Sequence, residues 1–190
     1  MADRPVRIAV SPNEGDPVED VTRLNPFPVE VLGPISAGGL SKEIVVDPIP
    51  GVGVGAAYTA GDAFGGAFVL QGAARGVGKV CALATSLFLD RSDQGAAMQL
   101  AIFNAPFTAT ADNAAFAVTD ADLSNRRAIV KFAAADYLDW SANQACQGDK
   151  GQYIAGGPGG DLYCQFITTG TPTVAASNLP GLVLVFAQDV

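Results

Sequence analysis

Leu162-Tyr163-Cys164-Gln165-Phe166-Ile167 is the stretch from which the fold can be read. Leu162, Cys164 and Phe166 share one face, and Asp161, Tyr163 and Gln165 share the other. A period of two belongs to a half-buried strand, whose successive side chains point to opposite faces. The same alternation recurs from Met98 to Phe103, where Met98, Leu100 and Ile102 fall together. Further β-prone apolar runs lie at Phe68 to Leu70, Val80 to Leu89, Ala128 to Phe132 and Leu182 to Phe186, each bounded by Gly, Asp, Asn or Pro. Many short strands between turn-formers predict a mostly β chain, built as a β-sandwich or jelly roll.

Two runs invite more specific expectations. Leu182-Val-Leu-Val-Phe186 is apolar on both faces. It is either a central strand or one face of an oligomer contact, which makes Leu182, Leu184 and Phe186 the candidate contact residues. Val80 to Leu89 and Met98 to Phe103 read as a strand pair joined by Arg91 to Gly95. Helix signals are few. Thr119-Asp-Ala-Asp122 fits a capping box, so a helical turn or two is expected there. Ala133 to Cys146 is Ala-rich, but its aromatics Tyr137 and Trp140 fit strand and loop somewhat better than helix.

Residues 1–56 differ from 57–190. Pro12, Pro17, Pro26, Pro28, Pro34, Pro48 and Pro50 interrupt short β-prone pieces at Val6 to Val10, Val29 to Leu32 and Ile44 to Val46. Proline lacks the N–H that a central strand must donate. Residues 1–56 are therefore an extended Pro/Gly-rich N-terminal arm or edge strands, and 57–190 the β-sandwich domain.

Composition narrows the chemistry. The chain has 190 residues, no His and a formal charge of -8. An acidic surface repels phosphate backbones, so nucleic acid is not an expected partner. Without His the commonest metal ligand and the Ser-His and Cys-His nucleophile systems are missing. The start Met-Ala-Asp-Arg-Pro lacks a signal-peptide pattern, and no apolar run approaches the roughly 20 residues of a membrane span. A soluble protein made in a cytoplasm, with no membrane partner, is the expectation. The three cysteines, Cys81, Cys146 and Cys164, show no CxxC spacing. Cys81 reads as a small core residue. Cys146 and Cys164 are the candidate disulfide pair, with cytosolic synthesis weighing against it.

Several motifs fail on context. Gly51-Val-Gly53-Val-Gly55-Ala56 matches a loose dinucleotide fingerprint, but Pro48 and Pro50 precede it and Gly61, Gly65 and Gly66 follow where a helix is needed. Gly76-Val-Gly78-Lys79 has the wrong spacing for a phosphate loop and reads as a turn into Val80. Asp112, Asn113, Asp120 and Asp122 form the densest group of oxygen ligands, without an EF-hand pattern. Asp136 and Asp139 flank aromatics, as paired carboxylates in glycosidases do, yet such groupings are common on any surface. No catalytic residue, cofactor or metal site is assigned, and an enzyme is not expected.

Four segments together resemble a known group. Tyr58-Thr-Ala-Gly-Asp-Ala-Phe-Gly65, Gln94 to Phe103, Ala111 to Asp122 and Leu162 to Pro172 are similar, in order and spacing, to small structural proteins encoded near the major capsid gene of tailed phages. The resemblance covers residues 57–190. It implies a virion structural protein, of the capsid decoration (cement) or head-fibre kind, located on the capsid surface. The implied partner is the major capsid protein. A homo-oligomer, with a trimer favoured, is expected from the two-faced strand Leu182 to Phe186 and from the threefold sites that a capsid lattice offers. The alternative is a fibre-associated carbohydrate-binding module, for which Tyr137 and Trp140 are the candidate platform.

Overall fold

The computed structural model describes residues 40–188. The expectations for residues 1–39 lie outside the described residues. Among the described residues ten strands form two antiparallel sheets: β1 (Ser41–Val46), β2 (Ala63–Leu70), β3 (Val80–Asp90), β4 (Met98–Phe103), β5 (Arg126–Phe132), β6 (Tyr137–Asp139), β7 (Gln144–Gln147), β8 (Tyr153–Ala155), β9 (Leu162–Thr168) and β10 (Gly181–Gln188). One sheet has the order β1-β10-β3-β7-β6, with β8 also paired to β3; the other has the order β2-β9-β4-β5. The chain crosses between sheets at six of the nine connections, and the β1-β10-β3-β7 and β2-β9-β4-β5 orders are those of a jelly-roll sandwich.

The apolar alternation explains which side of each strand is buried. Leu100, Ile102, Val130, Phe132, Leu162, Cys164 and Phe166 from one sheet meet Cys81, Leu83, Phe88, Leu182, Leu184 and Phe186 from the other. Phe88 sits among aromatic rings, with centroids 5.4 Å from Phe166, 5.7 Å from Phe132 and 6.5 Å from both Phe64 and Tyr137. Its contacts to Phe64, Phe166 and Tyr137 are edge-to-face, the arrangement favoured by the ring quadrupole. On β3 the pairing with β10 skips Ala84 between Leu83 and Thr85. This bulge keeps both Leu83 and Ser86 pointing inward on either side of an extra residue.

Most of the strand expectations hold closely, and β1 contains the Ile44 to Val46 piece as an edge strand paired to β10. The expected β3–β4 pair does not form. The two strands belong to opposite sheets. Buried Asp90 ends β3, and its carboxylate accepts the backbone N–H groups of Ser92 (3.0 Å), Gln94 (2.8 Å) and Gly95 (2.9 Å). That turn carries the chain across the sandwich, where β4 pairs with β5 and β9. Periodicity marks a strand but does not name its partner.

Only the N-cap half of the expected capping box forms, since the Asp122 carboxylate accepts from Thr108. Helix α1 (Asp120–Leu123) is capped by Thr119, whose Oγ1 accepts the N–H of Asp122 at 3.1 Å. The Ala-rich stretch is a short 3-10 turn followed by β6 and β7, as the strand-and-loop reading has it.

Candidate functional site

One convergence of polar groups is built around Asp112, in the long connection from β4 to β5. Its Oδ1 accepts the Tyr58 hydroxyl at 2.8 Å and the Gly65 N–H at 2.6 Å. Its Oδ2 accepts the Gly53 N–H at 2.9 Å. One carboxylate thus joins the β1–β2 loop, the start of β2 and the β4–β5 connection. Two glycines let the backbone come this close. A Cβ at Gly65, whose φ is +74°, would stand 2.7 Å from the Pro50 carbonyl, and one at Gly53 would stand 2.6 Å from Asp112 Oδ2. Tyr58 is buried, and burial first and the Asp112 bond second raise its hydroxyl pKa well above the ordinary value.

The same connection is fastened again at Gln165. This residue points away from the sandwich interior yet is fully buried. Its amide nitrogen donates to the carbonyls of Gly65 (2.9 Å) and Thr110 (2.7 Å), and its Oε1 accepts the Thr110 N–H at 3.1 Å. Residues near Thr110 therefore cover the outer face of β9. Phe107 stacks on Phe103 at 4.2 Å and shields the neighbouring end of β4.

Other acidic side chains work alike. Asp161 Oδ1 accepts the Gly72 N–H at 2.7 Å. Asp47 binds Arg91 through both oxygens at 2.7 Å, and Arg91 also donates to the Leu179 carbonyl at 2.8 Å. The Arg91 guanidinium holds the Asp47 carboxyl below its usual range. These groups close loops; each is engaged by the chain's own donors.

The residues singled out from sequence separate. Leu182, Leu184 and Phe186 are fully buried between the sheets. The strand is an inner one, flanked by β1 and β3, and the residues of β10 on its other face are Val183, Val185 and Ala187. Cys146 lies on β7 in one sheet and Cys164 on β9 in the other; both are buried free thiols, as is Cys81. Tyr137 turns into the fold and donates its hydroxyl to the Ala96 carbonyl at 2.6 Å, while Trp140 is 62% exposed. Asp136 and Asp139 are both exposed, and Asp139 accepts the Ser141 N–H. Asp112 and Asp122 point to different tasks: Asp122 accepts the Thr108 N–H at 3.2 Å. Among the described residues no three acidic or cysteine side chains are grouped to hold a metal ion.

The glycine motifs lie in turns, closely approached at Gly51 and Gly53 and open at Gly55 and Gly78. Gly51 and Gly53 lie against Gly66 and Asp112, and Lys79 donates its N–H to the Gly76 carbonyl in the turn entering β3. A hollow beside Phe64, Phe88 and Tyr137 holds about 10 Å³, room for one water at most. A shallower one at Phe68, Pro106, Phe107 and Tyr163 holds about 100 Å³. Both fall below the roughly 300 Å³ at which small-molecule pockets begin. Among the described residues no helix is long and apolar enough to cross a membrane.

Sequence reasoning missed Asp112, Asp90 and Gln165 as the residues that fasten the loops. The signal at Asp90 was present: Asp90-Arg-Ser-Asp-Gln-Gly95 is a run of turn-formers following an apolar strand. No protein-family model, curated protein or solved structure matches the chain.

Proposed function

We propose that the protein is a virion structural protein that binds and stabilises the capsid surface of a tailed phage through protein–protein contacts. The observation that carries this reading is how its polar side chains are used. Asp112, Asp90, Asp161 and Gln165 are aimed at the chain's own backbone, so the loops are braced from within. A braced jelly roll suits a part that bears load in an assembly. Jelly rolls serve in viral capsids and in lectins alike, so the fold favours no single role among these. The ordered resemblance of residues 57–190 to phage structural proteins favours the capsid.

In this reading the protein acts as a homo-oligomer and its partner is the major capsid protein. On the same reading residues 1–39, which precede edge strand β1 in the sequence, supply capsid contacts. Several copies held together gain by multivalency, since a second contact forms at high effective concentration once the first is made.

Full-length protein and a variant lacking residues 1–39 are mixed with capsids that lack the protein. Truncation ahead of Ser41 leaves β1 intact. Co-sedimentation and capsid survival on heating are expected for the full chain and reduced for the truncated one. Failure of both to bind refutes the capsid reading; unchanged binding after truncation refutes the role of residues 1–39. Binding of a host glycan, with no binding to capsids, replaces it with the carbohydrate-binding alternative.

A further inference from the structure

The outer face of the six-stranded sheet departs from the usual pattern of antiparallel sheets, in which one side is buried and the other carries polar groups. Register and alternation define the outward positions. Val45 on β1 stands beside Val183 on β10, which stands beside Leu87 on β3. The next outward row runs Glu43, Val185 and Thr85, and a third runs Ser41, Ala187, Ala82 and Tyr153. Leu138 on β6 extends the apolar surface beyond β7. Exposure is highest toward the edges of the face, 54% at Val45, 63% at Leu138 and 71% at Tyr153, and partial at Val183, Val185 and Leu87 between them. Among these positions Glu43 is the only charged residue.

We propose that this face is a self-association surface, through which two copies of the chain pack sheet against sheet about a twofold axis. The choice of a second copy rests on charge. Each molecule carries a formal charge of -8, so two copies repel wherever their acidic surfaces meet. A face that is almost free of charge is where like can meet like. A twofold contact also needs a patch complementary to itself, and rows of Val, Leu and Ala packing on the same rows meet that need as two sheets do inside a sandwich.

The area is sufficient. Four strands at about 4.8 Å spacing, over the eight residues of β10 at about 3.4 Å each, give roughly 500 Å² per copy. Two such faces bury about 1,000 Å² in total, the size at which specific interfaces begin. A face meeting its own copy about a twofold axis closes after two molecules, so the geometry selects a dimer as the unit of assembly in place of the expected trimer. The inference concerns the protein alone and does not depend on the capsid reading.

Sedimentation of the isolated full-length chain over a range of concentrations tests it. The wild type is expected to dimerise. Val45→Lys and Val185→Lys are each expected to raise the dimer dissociation constant at least tenfold, while Val69→Lys on the opposite sheet leaves it unchanged. Val45 is more than half exposed, so its variant remains informative if Val185→Lys fails to fold, which a thermal melt reveals. A monomeric wild type at all concentrations overturns the proposal, as do lysine variants that dimerise like the wild type. A monomeric wild type whose lysine variants lose capsid binding assigns the face to the capsid protein instead, and also overturns it.

Discussion

Asp112→Ala is expected to be among the most destabilising single changes outside the aromatic core. The half-buried carboxylate accepts three hydrogen bonds, and their losses are unequal. Gly53 N–H retains a second acceptor, the Tyr58 hydroxyl at 3.0 Å. Tyr58 retains only a long contact to the Gly53 carbonyl at 3.4 Å. Gly65 N–H, buried and held at 2.6 Å, loses its acceptor. An unsatisfied buried donor costs about 1–3 kcal/mol, and bonds to a charged acceptor contribute about 1.5–3 kcal/mol each. Allowing for the retained contacts, the sum is roughly 3–5 kcal/mol. For a domain of this size 1 kcal/mol moves Tm by about 2–4 °C, so Tm falls by roughly 6–20 °C.

Asp112→Asn separates a fastener from a generic polar surface residue. An amide oxygen placed at Oδ1 keeps the Tyr58 and Gly65 bonds, and the amide nitrogen then faces the Gly53 donor. The expected loss is about 1–2 kcal/mol, well short of the alanine variant. Urea unfolding followed by tryptophan fluorescence and calorimetry gives both values. In a double-mutant cycle, Tyr58→Phe and Asp112→Ala should couple by about 1–2 kcal/mol. An alanine variant within 1 kcal/mol of wild type, or an asparagine variant as damaged as alanine, shows that the reasoning is wrong.

Two further predictions concern pH. Burial pushes the thiols of Cys81 and Cys146 up to about 11, so the folded state favours their neutral forms. Their contribution to stability is fully present below the unfolded thiol value of 9.0 and is lost as pH rises through about 11. Stability should hold to about pH 9 and then decline, and a thiol reagent at pH 8 should label the folded protein only as fast as it opens; rapid labelling of all three cysteines contradicts this. Asp47 has the opposite sign: its depressed pKa gives stability that is present above the unfolded value of 3.8 and lost as pH falls through the folded one. The side chains of the Arg91–Asp47 pair are 35% and 38% exposed, so Asp47→Asn should cost at most about 1 kcal/mol at pH 7, and that cost should shrink as pH falls through the folded pKa. A cost that does not shrink with falling pH assigns the effect to something other than the ion pair.

The elements legible in the sequence are those whose evidence is local. Met98 to Phe103 and Leu162 to Ile167 alternate cleanly, and Thr119 to Asp122 carries its own cap; each is present within a residue or so of the expected bounds. Sheet membership was not legible. Val80 to Leu89 would alternate identically whether paired to β4 or to β10, and the choice is made by Asp90 turning the chain across the sandwich. The short strands β6, β7 and β8 were hidden for a related reason, since three or four residues show too little of a period to count.

The roles of polar residues were hidden because they depend on distance in space. Asp112 lies 47 residues from Gly65 and 59 from Gly53, and nothing in its own neighbourhood tells it apart from Asp120 or Asp122. The same reasoning applies to β10. Its two apolar faces pose a problem that sequence states but does not solve, because either face can be the inner one. The pairing with β3 decides it: Leu182 lies opposite inward-facing Phe88, which sends Leu182, Leu184 and Phe186 into the core and leaves Val183 and Val185 outside. Had the register slipped by one residue, the two valines would line the core in place of larger side chains. Register with β3 is therefore what leaves the β-branched pair Val183 and Val185 on the outer face.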